Sequence, residues 1–494
     1  MHSPASAPPG PPAQTTSRPG AVVATLAFAG TVAAVMQTLV TPLLPELPEI
    51  LNTSVSNSTW VITATLLVAG VAIPITGRLG DQIGKRRVLL ALTVPLAAGS
   101  VICALSSSLL PMIIGRGLQG LGMGMVPLGI ALLRDVVPRE KLSSSIALVS
   151  ASMGIGGGIG LPVAAAVAEF ASWRVLFWGS AVLAVTIAIL VWSLIPDVAP
   201  AAPGGRFDLL GAIGLSVGLV CLLLSVSKGA DWGWTSGATL GLGAVAIVAL
   251  VAWAAWELRT REPLVDLRTT ARPRVLTTNV ASIFVGVAMY ASMLVIPQIM
   301  QLPTETGYGL GQSMLATGLW MLPGGLMMMI VSPFGGKLTD ARGPKFTLMC
   351  GAAVITAGYA CSLLLLGSAW GLMVSLMVIN SGVGLAYGAM PALIMSSVPV
   401  AETAAANGFN TLMRSLGTSF GAAAIGAVLG QMTIVFAGSA MPSENGFEVA
   451  MMIGGAMALV ALMVAVLIPK RGGEDSTGDA TTRTAHTARE KVEA

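Results

Sequence analysis

The chain has 494 residues, of which 54% are hydrophobic and only 10% are charged, and its mean hydropathy is +0.83. Because a soluble protein carries about 25% charged residues, this composition excludes an ordinary water-soluble protein and indicates that most of the chain lies in lipid. The net charge of +4 does not indicate nucleic-acid binding, since the basic residues are spread over short connecting segments and not gathered on one face.

Apolar runs of membrane-spanning length follow one another between two polar tails. A spanning helix needs roughly 20 apolar residues, and this criterion predicts an all-α membrane protein with fourteen spans. The predicted spans lie near 21–43, 59–77, 88–106, 109–133, 144–167, 175–195, 208–227, 237–256, 275–300, 313–335, 346–366, 370–394, 404–430 and 448–468. Residues 1–20 and 469–494 are predicted to be disordered tails. The first run is too long for a signal-peptide core, so we interpret it as a retained helix.

The connecting segments carry their basic residues on alternate sides of the predicted membrane. If both termini are cytoplasmic, the segments on that side hold sixteen Lys or Arg residues, whereas the opposite segments hold only Arg174 and Lys228. Such an excess is typical of cytoplasmic loops. We therefore expect a multi-pass protein of the inner (cytoplasmic) membrane with both termini in the cytoplasm.

One ten-residue pattern occurs twice, at residues 77–86 (GRLGDQIGKR) and 336–345 (GKLTDARGPK). The copies are 259 residues apart and have eight predicted spans between them. A repeat with this spacing predicts two related six-helix halves, at 21–195 and 275–468, with two inserted helices within 208–256. Two halves that move about a site near the middle of the membrane are typical of secondary transporters.

The repeated pattern resembles the conserved loop of the major facilitator superfamily, and the fourteen spans resemble its drug:proton antiporter branch. The resemblance implies that the two loops latch the halves together on the cytoplasmic side. The residues of this predicted latch are Gly77, Arg78, Asp81, Gly84, Lys85, Arg86, Asp340 and Gly343. Glycines permit tight backbone at helix ends, and Asp81 is able to pair with neighbouring cations or a helix N-terminus. The chain departs from the family at Gln82, where Arg is frequent.

The fourth predicted span contains a cation, Arg116, with Gln119 one turn further along. This pair resembles an Arg and Gln-Gly motif to which the family assigns proton coupling. A charge inside a span costs at least about 2.5–3.5 kcal/mol on insertion scales, so we expect it to be functional. The alternative is that Arg116 lies near the membrane boundary and extends its head group to water.

Proton exchange also requires an acid that titrates, but none of the 22 Asp and Glu residues is predicted near the middle of a span. The family often has Asp at the position of Met36. The remaining candidates for coupling are Asp208 at the start of the seventh span, Glu169 and Asp81. The missing acid favours neutral or anionic lipophilic substrates over dications and leaves the coupling residue open.

The fifth predicted span contains a glycine series, Gly154, Gly158 and Gly160, followed by Pro162. The series resembles the antiporter motif, although Leu161 interrupts its Gly-Pro pair. Small residues allow close helix approach and Pro allows a kink, so these residues are predicted to form a hinge-like seam. Ordinary small-residue packing is the alternative interpretation.

Polar and aromatic residues within the core spans are the candidate substrate pocket, because an unpaired amide in lipid is costly. They are Gln37, Asn279, Tyr290, Trp320, Asn380, Tyr387, Asn407, Asn410 and Arg414. Flexible methionines that provide an apolar lining are Met314, Met321, Met327, Met328 and Met329.

The sequence contains no GxxxxGK[ST] phosphate loop, nucleophile–base pair, metal-binding cluster or cofactor motif, so we do not expect an enzyme. We expect a monomeric secondary transporter in the lipid bilayer that exports small hydrophobic drugs or antibiotics across the cytoplasmic membrane by alternating access, in exchange for protons. Two alternatives stay open. One is an exporter of a single metabolite, siderophore or lipid, with or without proton coupling. The other is a receptor or scaffold that has this fold and transports nothing.

Overall fold

The structure is a computed structural model and describes residues 19–43, 46–200, 204–436 and 439–469. Within these ranges fourteen helices are long and apolar enough to cross a membrane, as the sequence predicts. They are α1 Pro19–Thr38, α2 Trp60–Ile83, α3 Lys85–Leu105, α4 Leu109–Val136, α5 Arg139–Phe170, α6 Arg174–Leu194, α7 Leu209–Trp232, α8 Gly237–Glu257, α9 Pro273–Gln301, α10 Met314–Arg342, α11 Pro344–Leu364, α12 Ala369–Met395, α13 Thr403–Gln431 and α14 Glu444–Leu467. Helix α4 includes a 3-10 turn at Gly122–Gly124. The predicted tails lie outside the described residues, apart from their inner ends.

The connections contain short helical turns and one β-hairpin that the sequence analysis did not predict. The turns are Thr41–Leu43, Leu47–Ile50, Val55–Ser58, Leu267–Thr270, Thr304–Thr306 and Val400–Glu402. The hairpin joins α13 to α14 and consists of antiparallel strands β1 Thr433–Phe436 and β2 Ser439–Pro442. Strands of four residues are too short to produce a clear alternation of polar and apolar residues.

The repeated pattern is helical, which corrects the predicted loops at 78–87 and 336–345. Helix α2 continues to Ile83 and α10 continues to Arg342. A single glycine with positive φ, Gly84 (φ 103°) or Gly343 (φ 85°), separates each helix from the next one. Glycine adopts such a φ without steric cost, so each copy is a tight joint between antiparallel helices. We call the end of the bundle that carries Gly84 and Gly343 the basic end.

Most residues of one apolar core belong to α1–α6, and most residues of a second core belong to α9–α14. In the first group α1 packs on α5 and α3 packs on α6, and in the second group α9 packs on α13 and α10 on α12. The groups meet mainly along two helix pairs, α5 with α10 and α2 with α13. The internal repeat predicted from the sequence relates α2 to α10 and α5 to α13, and it therefore predicts that the two pairs are equivalent contacts.

Helices α7 and α8 pack on each other, and α7 also contacts α2 and α13. Exposed apolar side chains such as Ile247, Val248 and Val251 cover much of α8, as expected for a helix that faces lipid. The position of Lys228 differs from the prediction, which placed this residue in a loop. It is buried within α7, its ammonium donates a hydrogen bond to Thr59 Oγ1, and its Nζ lies 5.2 Å from the centroid of the Trp60 ring.

Candidate functional site

A cavity of about 440 Å³ lies between the two groups of helices and is lined by α1, α5, α9, α10 and α12. It extends from the middle of the bundle to the end opposite the basic end, where Thr41 and Gln301 are exposed. Its polar lining residues are Gln37, Thr38, Thr41, Ser292, Gln298, Gln301, Asn380 and Tyr387. Its methionines are Met153, Met289, Met293, Met314, Met321 and Met328. No charged side chain among the described residues lines this cavity.

Three of the predicted pocket residues, Gln37, Asn380 and Tyr387, line the cavity. The predicted methionines Met314, Met321 and Met328 also line it, whereas Met327 and Met329 do not. The structure places the remaining predicted residues elsewhere, because helical periodicity turns them towards neighbouring helices. They are Asn279, Tyr290, Trp320, Asn407, Asn410 and Arg414.

Several of these residues have partners that explain their positions. Asn410 Nδ2 donates hydrogen bonds to Asn279 Oδ1 at 2.9 Å and to Ser282 Oγ at 2.8 Å, which joins α13 to α9. Trp320 Nε1 donates to Gln312 Oε1 at 3.0 Å. Asn407 differs, since it is buried and neither atom of its amide has a hydrogen-bond partner among the described residues.

Arg414 lies directly behind the cavity wall. Its guanidinium carbon is 4.1 Å from the centroid of the Tyr387 ring, and its Nη2 is 4.0 Å from Met153 Sδ. Both of these neighbours line the cavity. Only 6% of Arg414 is exposed, and within the described ranges no carboxylate pairs with it and no oxygen accepts a hydrogen bond from it.

A smaller cavity of about 130 Å³ lies near the basic end, between α2, α9, α13 and the segment that connects α8 to α9. Its lining is more polar and includes Arg78, Asp266, Asn279 and Glu402. Two residues that the sequence analysis assigned to the latch and the substrate pocket, Arg78 and Asn279, thus share a site that is distinct from the large cavity.

At the basic end, Asp81 joins the two groups of helices. Its carboxylate accepts hydrogen bonds from the backbone N–H groups of Ala404 at 3.1 Å and Ala405 at 3.0 Å, in the first turn of α13. The first N–H groups of a helix lack intrahelical partners and carry partial positive charge, so a carboxylate is a favourable cap there. Lys85 lies 3.8 Å from Asp81 and donates to Asp135 Oδ2 at 2.6 Å.

A second polar contact at the basic end joins α4 to α13. Arg134 Nη1 donates a hydrogen bond to Thr403 Oγ1 at 2.7 Å. Arg86, by contrast, donates to the carbonyl oxygen of Trp192 at 2.5 Å and therefore holds α3 to α6 within one group. Gln82 Nε2 donates to the carbonyl oxygen of Arg206, which precedes α7.

The second copy of the repeat does not reproduce the Asp81 contact. Asp340 is exposed and forms no ion pair among the described residues. The glycines of the two copies are alike, however. A Cβ on Gly77 would lie 2.6 Å from the Ala404 carbonyl oxygen, and a Cβ on Gly336 would lie 2.5 Å from Ser144 Cα. Both glycines therefore allow helices of opposite groups to touch, but only the first copy adds a polar link.

Arg116 and Gln119 form a closed hydrogen-bond network near the end opposite the basic end. Arg116 Nε donates to the Val61 carbonyl at 3.2 Å, and its Nη1 donates to the Met36 carbonyl at 2.8 Å and to Gln119 Oε1 at 2.7 Å. Gln119 Nε2 in turn donates to Ser100 Oγ at 2.8 Å. Arg116 is only 1% exposed, so its side chain points into the bundle and not to water.

Asp208, the third residue predicted to take part in coupling, lies at the basic end and does not approach Arg116. Its carboxylate caps α7 by accepting a hydrogen bond from Gly211 N at 2.8 Å and a further one from Trp256 Nε1. Glu169, the other acid considered, is exposed near the end of α5.

Sequence reasoning did not single out Glu257, the buried last residue of α8. Its Oε1 accepts a hydrogen bond from Trp253 Nε1 at 2.8 Å, and its Oε2 has no hydrogen-bond partner among the described residues. The spacing of Trp253 and Glu257 by four residues was the available signal, because such residues share a helix face.

The glycines of α5 lie at close helix contacts. A Cβ on Gly154 would lie 2.0 Å from Met328 Sδ of α10, and a Cβ on Gly160 would lie 2.0 Å from Thr38 Oγ1 of α1. Gly158 faces Gly325 of α10. The helix is unbroken across Pro162. These residues thus pack α5 against both groups of helices, and their action as a hinge stays a prediction.

Comparison with known proteins agrees with this architecture. The chain matches the family model of the Major Facilitator Superfamily over residues 26–422. It is similar to the MFS-type transporter Rv1877 of Mycobacterium tuberculosis (29% identity over 85% of this chain and 60% of that protein). It is also similar to the multidrug transporter protein MdtP of Bacillus subtilis (27% identity over 76% of this chain and 69% of that protein). The chain spans about 60% of the length of several curated relatives that it matches.

Among solved structures, the chain is similar to that of the human organic anion transporter MFSD10 (TETRAN), with a TM-score of 0.66. The alignment covers 91% of this chain and 100% of that one at 15% sequence identity, so the likeness concerns the fold alone. The family match extends over most of the chain, and the fourteen spanning helices agree with it. The protein is therefore a multi-pass membrane protein that belongs to the major facilitator superfamily.

Proposed function

We propose that the protein exports hydrophobic small molecules across the inner membrane by alternating access. The observation that carries this proposal is the cavity of about 440 Å³ between the two groups of helices, which reaches only one end of the bundle. Its size and its mainly apolar, methionine-rich lining suit a drug-sized lipophilic molecule. MdtP, the relative named a multidrug transporter protein, supports the same substrate class.

We place the basic end in the cytoplasm, because an excess of Lys and Arg in short loops marks the cytoplasmic side. Both chain termini are then cytoplasmic, and the cavity faces outward. Opening towards the cytoplasm requires α2 to separate from α13 and α5 from α10 at the basic end. Asp81, Gly77 and Gly336 lie at these contacts and act as the latch in this proposal.

Export is driven by the proton gradient in this proposal, and Asp81 is the acid that couples it. Asp81 is completely buried at a contact that must open during the cycle, whereas Asp208 caps a helix and Glu169 is exposed. Protonation removes the charge that binds the N-terminus of α13 and Lys85, so it favours opening at the basic end. Uptake of a proton by Asp81 then favours the state in which the cavity is open to the cytoplasm.

The second candidate function is export of a narrower range of substrates. Because no carboxylate among the described residues lines the cavity, lipophilic dications have no counter-ion there. This observation favours an exporter of one neutral or anionic metabolite over a broad cation exporter. A substrate panel separates the two candidates, since the narrow exporter moves one chemical type only.

Inside-out membrane vesicles from a pump-deficient bacterial host test the proposal. The substrates are ethidium, neutral N-phenyl-1-naphthylamine and its anionic 8-sulfonate relative, and the readouts are dye uptake and discharge of the pH gradient. We expect the wild-type protein to accumulate at least one dye and Gly157→Phe to abolish uptake, because Gly157 lines the cavity with free space beside it.

The matched control is Gly241→Phe, which adds the same ring to an exposed position of α8 that also has free space. This variant is expected to transport like the wild-type protein. The proposal of export through this cavity is wrong if the inserted wild-type protein moves none of the dyes, or if the Gly157→Phe variant transports them normally.

A further inference from the structure

We propose that Arg414 is the counter-ion for an acidic group of the substrate, so that the cavity selects lipophilic anions. This inference rests on the proposed export function and specifies its substrate class. The ligand would have an apolar body in the methionine-rich cavity and a carboxylate or sulfonate directed towards Arg414.

The first argument is the state of the Arg414 donors. A guanidinium presents five N–H donors, and burial without acceptors is costly. Arg414 is 94% buried, yet its recorded contacts in the described part of the chain are the face of Tyr387 and the sulfur of Met153. An aromatic face compensates part of the lost hydration of a cation, and a thioether is a weak acceptor. The donor set therefore lacks the oxygen acceptors that suit it.

The second argument is a comparison with Arg116, the other arginine deep inside a spanning helix. Arg116 donates to three oxygen acceptors at 2.7–3.2 Å, all of them within the protein. The fold thus provides one buried arginine with three neutral oxygen acceptors of its own. Arg414 has no such set, and this difference indicates an acceptor that the protein itself does not provide.

The third argument is access. The two residues that contact Arg414, Tyr387 and Met153, both form the cavity wall, so the guanidinium is one side-chain layer from the cavity. The Tyr387 hydroxyl lies 2.9 Å from Met289 Sδ, and a thioether holds it only weakly. Rotation of this ring would bring the guanidinium to the cavity surface. Met153 and Arg414 belong to opposite groups of helices, so an anion bound here lies at the moving interface.

The fourth argument is electrostatic. The cavity wall contains no carboxylate among the described residues, so nothing in it neutralises the field of Arg414. Charges act over longer distances in an apolar interior than in water. A guanidinium also matches the planar, two-oxygen geometry of a carboxylate. A lipophilic anion is therefore attracted to this cavity, and a lipophilic cation is repelled.

The test compares two ligands that differ only in charge, 1-naphthylacetate and 1-naphthylacetamide, in tritiated form. Binding to the full-length protein is measured by scintillation proximity in nanodiscs of zwitterionic lipid. We expect the wild-type protein to bind the acid at least about tenfold more tightly than the amide. Arg414→Gln should abolish this preference by weakening binding of the acid more than binding of the amide, whereas Arg414→Lys should retain part of the preference.

A wild-type protein that binds the two compounds equally, or neither of them, overturns the inference, as does an unchanged preference in Arg414→Gln. The Arg414→Lys variant keeps the test decisive if Arg414→Gln does not fold. Loss of the wild-type preference in nanodiscs of anionic lipid would instead assign Arg414 to a lipid headgroup. The vesicle panel with Gly157→Phe reports separately on export, because it includes neutral and cationic dyes.

Discussion

The carboxylate of Asp81 accepts a hydrogen bond from the backbone N–H of Ala405 at 3.0 Å, so the last turn of α2 caps the first turn of α13. This contact joins the two groups of helices at the basic end and has no counterpart at Asp340, which is exposed. Two copies of one sequence pattern therefore make different contacts at the same end of the bundle.

Asp81→Asn is expected to weaken closure of the basic end. Loss of the negative charge at the N-terminus of α13 costs about 0.3–1 kcal/mol, so the open population should rise about two- to fivefold. The measurement is the distance distribution between spin labels at the exposed residues Ile83 and Val400, in a variant without native cysteines. Asp340→Asn is the matched control and should leave the distribution unchanged. Equal effects of the two substitutions would contradict the asymmetry.

Acidification should reproduce the effect of Asp81→Asn. Protonation removes the same charge, so a lower pH is expected to increase the long-distance population of the wild-type protein. The Asp81→Asn variant should show little pH dependence. The cations beside Asp81 are Lys85 and Arg78, and Lys85 also pairs with the neighbouring acid Asp135, so Asp135→Asn is the control. A pH response that persists in Asp81→Asn and disappears in Asp135→Asn would assign the coupling to Asp135.

Gly336→Ala is expected to open the basic end by a steric route. The added Cβ would lie 2.5 Å from Ser144 Cα, a backbone atom that cannot move aside without separating α10 from α5. The same spin-label distances, together with the thermal unfolding temperature in detergent, measure the effect. Gly241→Ala adds the same methyl group where nothing lies within 4 Å, and it should change neither quantity. If the Gly336→Ala protein has the spin-label distances and the unfolding temperature of the wild type, the contact between Gly336 and Ser144 is not tight.

Arg116→Lys should destabilise the protein more than Arg414→Lys does. A lysine ammonium cannot span the three acceptors of Arg116, and the lost hydrogen bonds to a charged group cost about 2 kcal/mol or more in total. Arg414 has no oxygen acceptor among the described residues to lose. Thermal unfolding in detergent, followed by tryptophan fluorescence, compares the two variants. A similar loss of stability in both would show that Arg414 has protein acceptors.

Thr59→Val is expected to loosen the attachment of α7 to α2. It removes the hydroxyl that accepts from the buried Lys228 ammonium, at a cost of about 1–3 kcal/mol. In a Lys228→Met background the same substitution should cost much less, because no charge is left without its acceptor. A double-mutant cycle of unfolding free energies measures the difference. Additive effects would mean that the two side chains do not interact energetically.

The local properties of the sequence were sufficient to predict the number and order of spanning helices. A bilayer requires about 20 apolar residues per helix, and this requirement acts on each segment separately. Gln37 and Asn380 were predicted to line a cavity because an unpaired amide is costly in lipid, and both line it. Met314 and Met321 were predicted to line it because methionine is flexible and apolar, and both do so. The predicted helix ends at the repeat were wrong. A charged residue such as Asp81 indicates a loop when only the sequence is known, because its partner, the first turn of α13, is distant in the chain.

Only the tertiary structure distinguishes residues that are alike in sequence context. Arg116 and Arg414 are both arginines inside apolar helices, but one meets carbonyl groups of α1 and α2 whereas the other meets an aromatic ring and a thioether. Asp81 and Asp340 occupy the same place in a repeat, yet one meets the first turn of α13 and the other is exposed. The sequence by itself determined which segments enter the membrane, because hydrophobicity is a property of each segment. Packing between segments distant in the chain decided which polar groups are satisfied, because hydrogen bonds depend on a partner's position.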